Sequence, residues 1–306
     1  MVTNTTALTQ IAAEVLQIPL ARIEMVTSDT ASSGDAGPAS ASRPTMFAGH
    51  AVKQATEQAL QHWRDEERPA TGGGRWYAPP TTKPDPETGA CLNSISYAYG
   101  AQAVEVEVDI ETGEISIIKA VAVHDPGQAV NPQQVSGQLQ GRIIQTQGWA
   151  LTENFVTQGG YIQTDRLSTY LIPTILDAIP DIKLVCLEEP DLVGPYGVHG
   201  VGEIGLILLA PAIVSAIHNA VRVWFDHLPL TPERVLSALW PAGYGSTYGH
   251  ELRSHVRAFE LPRGYFSQEL TQVPGIYPFV IVHPLNGNVS QNSFEIAQGE
   301  LGAAGR

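Results

Sequence analysis

"YGAQAVEVEVDIETGEISIIKAVAVHD" spans residues 99–125. Apolar and polar residues alternate through it on both sides of Glu111-Thr112-Gly113, the pattern of two half-buried strands joined by a tight turn. Shortly after it, "NPQQVSGQLQGRIIQTQGWALTEN" puts Asn131 where a side chain can cap a helix. Pro132 then stands at the first helical position, where no N–H is needed. A strand pair feeding a capped helix is the centre of the chain.

Outward to the N-terminal side, "TTALTQIAAEVLQIP" carries Leu8, Ile11, Ala12, Val15 and Leu16 at helical spacing, and Pro19 closes the helix. "RIEMVTSDT" reads as a short strand, and a loop of small polar residues fills 30–49. "FAGHAVKQATEQALQHWRDEER" reads as an amphipathic helix over about residues 46–68. "PATGGGRWYAPPTTKPDPETGA" is either a linker or a surface loop, by its proline and glycine content. On the C-terminal side come a hairpin around Gly159-Gly160, a strand in "IKLVCLEE", and an apolar helix from about Leu206. Thr231-Pro232-Glu233 begins a short last helix. Strands and helices alternate without a regular strand–helix–strand rhythm, which predicts the α+β class. One compact unit is expected over residues 1–244, followed by an extension over 245–306 in which "YPFVIVHP" is strand-like.

With 306 residues and 43% hydrophobic content, the chain has material for a sizeable core. Lys plus Arg total 17 against 31 Asp plus Glu, a net charge of −14. That balance argues against general nucleic-acid or anionic-membrane binding, which need basic patches. Cys91 and Cys186 are the only cysteines, too few and too far apart for a disulfide framework or a cysteine-held iron–sulfur cluster. "MVTNTTALTQ" has neither a basic nor an apolar segment of a secretory signal, and "IGLILLAPAIVSAI" is short for a bilayer span. A cytoplasmic protein without a membrane helix is the expectation.

Three segments carry candidate chemistry. "GPASASRPT" (37–45) offers amides and hydroxyls to an anion or a polar ring, though composition alone favours a Ser-rich surface loop. In "HDPGQAVNPQQVSGQLQGR" (124–142) a polar turn feeds a helix start that can face a phosphate or polar cofactor, or simply connect strand to helix. "VGPYGVHGVGEIGLILLAPAIVSAI" (193–217) sets Glu203 between glycines and a long apolar run. One reading is a first-turn acid favoured by the helix dipole, by ~0.3–1 kcal/mol. The other is a proton acceptor for a ligand that glycines allow close to the backbone. His124, His199, His218 and His227 form no close-set ligand group, and no P-loop, nucleophile elbow or dinucleotide fingerprint is present.

Taken in order, these segments resemble the molybdenum hydroxylases, the xanthine dehydrogenase and aldehyde oxidase family. The resemblance runs through "TALTQIAAEVLQIP", "SDT", "SASRPTMFAGHAV", "VHDPGQAVNPQQVSGQLQG", "YLIPTILDAIPDI", "GPYGVHGVGEIG" and "LPLTPERVLSAL" over about residues 4–240. It lies in the C-terminal half of the family's molybdopterin-binding subunit. It implies a molybdopterin-binding domain of that type, with mixed sheets and packed helices. Glu203 matches the family's active-site glutamate, the general base that takes a proton from a water-derived nucleophile during hydroxylation of an aldehyde or a purine-like N-heterocycle. Ser40, Ala41, Ser42, Gln138 and Gly202 match positions beside the metal and the pterin. The molybdenum is held by the cofactor's own sulfurs, so no direct protein ligand is expected, and a dinucleotide form of the cofactor is open.

The chain departs from the family pattern at identifiable places. His199 stands where Lys is usual, Gln140 where Glu is common, and Val2 where a cofactor-contacting glutamine is expected. The family's preceding half, with its substrate-orienting residues, has no counterpart here. The resemblance therefore implies a split subunit, active only with partners. These are a chain supplying the N-terminal half, an iron–sulfur subunit, and, as a further candidate, one carrying FAD. The competing reading is a non-catalytic remnant or structural subunit that keeps the fold without binding metal.

Overall fold

A computed structural model of the chain describes residues 2–27, 29–33, 40 and 42–240, together with the strand segments 255–257 and 279–281. The Cα framework divides into two compact units. The first gathers Met1–Ala98, His124–Leu139 and Cys186–Ile204; the second gathers Tyr99–Val123, Gln140–Val185 and Gly205–Arg306. Each is built around a different kind of contact.

In the first unit, helix α1 (Val2–Leu16) packs on helix α2 (Pro44–Arg64). Ala7, Ile11 and Ala12 are the buried stripe of α1, and Met46 and Gly49 answer from α2. Pro44 opens α2 at a position where its missing N–H costs nothing. The helix stops at Arg64, short of the expected 68, with Glu66 in the left-handed region at φ 68°. Pro69 disfavours helical geometry at Arg68, so the chain could not have continued much further. The segment 22–30, expected as a strand, is not one in its described residues. A 3-10 turn at Leu20–Arg22 leads into extended backbone at Ile23 that joins no ladder among the described residues. Extended sequence without a partner does not make a strand. The proline- and glycine-rich stretch forms a surface strap on α2: Gln58 Oε1 accepts from Gly73 N–H at 2.8 Å and Gln54 Oε1 from Arg75 N–H at 3.2 Å.

The second unit holds the expected hairpin. Strand β1 (Tyr99–Asp109) turns into β2 (Ile115–Asp125), and Asp109 Oδ1 closes the turn by accepting from Glu111 N–H at 2.8 Å and Thr112 N–H at 3.1 Å. Gly113 supplies the positive φ of 78° that the turn needs. Helix α3 (Pro132–Leu151) follows, counted with the first unit to Leu139 and with the second from Gln140; its start is capped by Asn131 Oδ1 accepting from Gln134 N–H at 3.0 Å. The short pair β3 (Thr157–Gln158) and β4 (Tyr161–Ile162) surrounds Gly159-Gly160, and β5 (Asp181–Cys186) is the "IKLVC" strand. Helix α4 (Leu209–Val221) and helix α5 (Pro232–Leu239) complete the described helices.

Sheet order is β5-β2-β1, extended by β6 (His255–Arg257) and β7 (Phe279–Ile281), which both pair antiparallel with β1. In register, Val108 Cα stands opposite Val256 and Gln102 opposite Val280. β7 falls inside "YPFVIVHP", and it and β6 cover an edge of β1 that would otherwise be open to pairing. Val104, Val106 and Val108 of β1 are fully buried and meet Leu209, Ile213 and Ile217 of α4, the inward stripe at helical spacing. Residues 204–221 form a window of mean hydropathy 2.0, but α4 itself has 13 residues and is largely buried in this core. At ~1.5 Å per residue that is about 20 Å, less than a ~30 Å hydrocarbon layer, so α4 is a core helix. A sheet with helices packed on it is the α+β architecture expected.

Candidate functional site

The glycine-rich loop that carries Glu203 belongs wholly to the first unit, and main-chain bonds fix its path. Gly197 C=O accepts from Gln128 N–H at 2.7 Å and from Asp191 N–H at 2.9 Å. Pro126 C=O accepts from His199 N–H at 2.9 Å, and Gly127 bridges Val198 in antiparallel fashion. The turn "HDPGQ" and the loop "GPYGVHG" are thus laced together backbone to backbone. The lacing demands glycine at 127: its φ is +63°, and a Cβ there would sit 2.3 Å from Gly197 O. Asp125 Oδ1 secures the same turn, accepting from Gly127 N–H at 3.0 Å and Glu189 N–H at 3.1 Å.

Beneath the loop lies a chain of polar side chains that sequence reading did not find. Asp191 Oδ1 accepts from Val193 N–H at 2.6 Å and Gly194 N–H at 2.7 Å, while its Oδ2 accepts from Ser96 Oγ at 2.6 Å. His199 Nε2 lies 2.7 Å from that same Oδ2, with both side chains buried. Burial pushes the Asp191 carboxyl up, but the Ser96 hydroxyl, the Gly194 and Val193 amides and the His199 ring outweigh it, leaving the group below its ordinary range. The one available signal was an acid just ahead of Gly194-Pro195, which reads as an Asx-type turn. His124, also buried, is pushed down to about 4 by desolvation of its charged form.

At the far end of the loop the character changes. Glu203 is exposed, and one of its oxygens, Oε2, accepts from Ser42 Oγ at 3.2 Å. Ser42 adopts φ 54°, a left-handed conformation uncommon for a residue with a side chain. It can do so because Gly200 and Gly202 leave room: a Cβ at Gly200 would fall 2.6 Å from Ser42 O, and one at Gly202 3.1 Å from Ser42 Oγ. Residues remote in sequence, from the small-residue loop and the glycine loop, meet here.

Of the sequence-predicted site residues, Ser42, Gly202 and Glu203 come together. Ser40 is exposed on the same loop, where its C=O accepts from Arg43 N–H at 3.3 Å. Ala41 lies outside the described residues. Gln138 is half-buried on the first half of α3, hydrogen-bonded to neither Ser42 nor Glu203, beside Gly137, where a Cβ would meet nothing within 4 Å. Among the described residues, no three His, Cys, Asp or Glu side chains converge to hold a metal ion directly. The groups present are the Ser42 hydroxyl and glycine backbone beside one exposed carboxylate, with Ser40 on the same loop as Ser42. Such a set fits an organic, polar, anionic group approached closely by backbone, and so fits a pterin-type cofactor.

Comparison with known proteins agrees. The family profile of the molybdopterin cofactor-binding domain matches residues 3–68 and 61–179. A probable xanthine dehydrogenase component of Bacillus subtilis is 41% identical over 160 residues, covering 52% of this chain and 21% of that protein. A probable hypoxanthine oxidase of Escherichia coli K12 is 32% identical over 262 residues, covering 76% of this chain and 27% of the relative. Among solved structures, the aldehyde oxidoreductase of Desulfovibrio gigas superposes with a TM-score of 0.70 at 28% identity, over 76% of this chain and 27% of that one. The Desulfovibrio desulfuricans aldehyde oxidoreductase gives 0.68 at 32% identity, over 77% and 27%. The chain spans about a quarter of the length of these relatives. On the matched profile, the ordered motifs and the shared fold, this chain belongs to the molybdopterin cofactor-binding family of the xanthine dehydrogenase and aldehyde oxidase type.

Proposed function

We propose that the chain is the molybdenum-cofactor-binding part of an oxidoreductase that hydroxylates an aldehyde or a purine-like N-heterocycle, with water as the oxygen source and Glu203 as general base. The observation that carries this reading is Glu203 itself. Its carboxylate stands exposed at the end of a loop whose preceding residues, Gly197 to His199, are buried, and a hydroxyl from a distant loop touches it. A capping acid would instead engage the amides of its own helix start.

The cofactor, when bound, supplies the redox chemistry and makes water a competent nucleophile near neutral pH. The chain supplies position and a proton acceptor. Ser42 Oγ donates to Glu203 Oε2 and orients the carboxylate, which assigns proton acceptance to Oε1. Gly200 and Gly202, lacking side chains, make the room in which Ser42 approaches the loop that carries Glu203. Ser40, Gln138 and Gly202 are the positions proposed to lie beside the pterin, and the residue at 41 belongs to the same loop in sequence. The proposal extends to the assembly: a chain supplying the rest of the molybdopterin-binding subunit, with iron–sulfur and FAD centres on partners, in the cytoplasm.

The test is turnover by the complex isolated from the native host, comparing wild type with Glu203→Gln at matched molybdenum content. General-base loss is expected to lower turnover by ~10²–10⁴-fold. Turnover within a few-fold of wild type removes the base role from Glu203. A wild-type complex without molybdenum gives the ground to the non-catalytic reading.

A further inference from the structure

Helix α2 does more than pack on α1, because one of its sides runs along the start of the Glu203 loop. Gly49 lets the helix come close to Pro195, where a Cβ would meet Pro195 Cγ at 3.0 Å. Lys53 Nζ stands 4.8 Å from the centroid of the Tyr196 ring. His50 Nε2 lies 2.6 Å from Val193 O. A carbonyl oxygen only accepts, so Nε2 carries the proton and the imidazole donates. Positions 49 and 53, and 50 and 53, are neighbours at helical spacing, which puts all three contacts on one side of α2.

The imidazole is itself held. Trp76, from the strap on α2, stacks on it with ring centroids 4.5 Å apart and planes 10° from parallel. The same indole meets Phe47 edge to face at 4.8 Å, and Arg43 Cζ lies 5.2 Å from the Phe47 ring centroid. Arg43 follows Ser42 directly, so one indole links the Ser42 end of the site to the carbonyl where the glycine loop begins. The strap has little room to lift that indole away. Its Gly74 lies so close to α2 that a Cβ would fall 1.8 Å from Ala51 O, and Gln58 and Gln54 hold the Gly73 and Arg75 amides. Val193 is gripped on both sides, its N–H by Asp191 Oδ1 and its C=O by His50. We propose that His50 is a positioning residue for Glu203: its Nε2–H, aimed by the Trp76 ring, fixes the Val193 carbonyl from which the glycine loop departs toward the carboxylate. The consequence for turnover rests on the proposed function, while the hold on the loop does not.

The experiment measures amide exchange in the full chain, as the ratio of the rates at Val193 and Gly194 to those at Val104 and Val106 of β1. Global destabilisation alone cannot raise that ratio, because it speeds the core amides at least as much. His50→Leu keeps bulk against Trp76 and deletes the donor, and is expected to raise the ratio about five- to tenfold, the worth of one net hydrogen bond. His50→Gln, whose Nε2 can donate to the same carbonyl, is expected to return it close to wild type. Trp76→Leu, which frees the imidazole, is expected to raise it as well, and no rise there overturns the part given to the ring. A ratio unchanged in His50→Leu, or raised equally in His50→Leu and His50→Gln, overturns the inference. In the complex isolated from the native host, at matched molybdenum content, kcat is expected to fall at least tenfold in His50→Leu with KM within twofold, and to recover in His50→Gln, as a displaced base requires. A loosened loop with unchanged kcat overturns the positioning role. If the wild-type complex holds no molybdenum, the proposed function fails, and the exchange ratios by themselves decide whether His50 holds the loop.

Discussion

The two units of this chain are held together by different atoms. In the second, side chains do the holding: Val104, Val106 and Val108 on β1 interlock with Leu209, Ile213 and Ile217 on α4. In the first, around the Glu203 loop, backbone holds backbone, through Gly197 O, Pro126 O and the bridge at Gly127. Packed side chains make a core whose stability scales with apolar area, while laced main chain makes a loop whose geometry is fixed with little apolar area at all. The contrast explains how a glycine-rich loop can present an exposed carboxylate at a defined place.

The largest expected effect tests the packed side of this contrast. Ile213→Ala removes a fully buried side chain from α4 and should destabilise the chain by ~2–5 kcal/mol in denaturant unfolding. Amide exchange within the Glu203 loop, measured below the unfolding transition, should change far less. Equal acceleration in loop and core would erase the distinction between the units.

A smaller effect comes from pH. His124 titrates at about 4 in the folded chain against an ordinary 6.5, because burial disfavours its charged form. The unfolded chain therefore binds the proton more readily, and folding loses stability as pH falls from about 6.5 to about 4. Above that window the group is neutral in both states; below it the loss is complete. The slope is up to ~1.4 kcal/mol per pH unit and the total about 3 kcal/mol. Denaturation midpoints across pH 4–7 should show the slope, and His124→Gln should flatten it whatever that substitution does to stability at pH 7.

Gly127→Ala probes the laced side. It forces a Cβ into a left-handed position and against Gly197 O, a strain of ~1–3 kcal/mol. Here the exchange protection of the Val198 and His199 amides should fall more than global stability does, the reverse of the Ile213 outcome. The least effect is expected at Asn131→Ala, which removes the α3 cap and should cost ~0.5–2 kcal/mol, read as a shift in the unfolding midpoint.

What could be read in advance follows the same division. Local patterns were legible: the β1–β2 alternation and the Asn131-Pro132 start of α3 fall where expected, and the apolar helix expected from about Leu206 is α4, which begins at Leu209 after a 3-10 turn. The order of motifs assigned Ser42 and Glu203 to one neighbourhood, and the two side chains do touch. Other contacts between residues far apart in sequence were not legible. Nothing in local composition ties Ser96 to Asp191 and His199, since that chain exists only once three separate segments are folded together. The segment 22–30 failed for a related reason. Strand character at Ile23 is local, but a strand also needs a neighbour, and none of the alternation that signals one is written into nine residues alone.

The backbone lacing between the "HDPGQ" turn and the glycine loop also bears on how such a site can diverge. Position 199 is anchored through its N–H to Pro126 O, an attachment every residue but proline can make. That anchor leaves the identity of the side chain at 199 open. Here the histidine ring pairs with Asp191, both side chains buried, on the loop that leads to Glu203. A path set by peptide groups and a few glycines does not depend on most of the side chains threaded along it, so those side chains can change while Glu203 keeps its position.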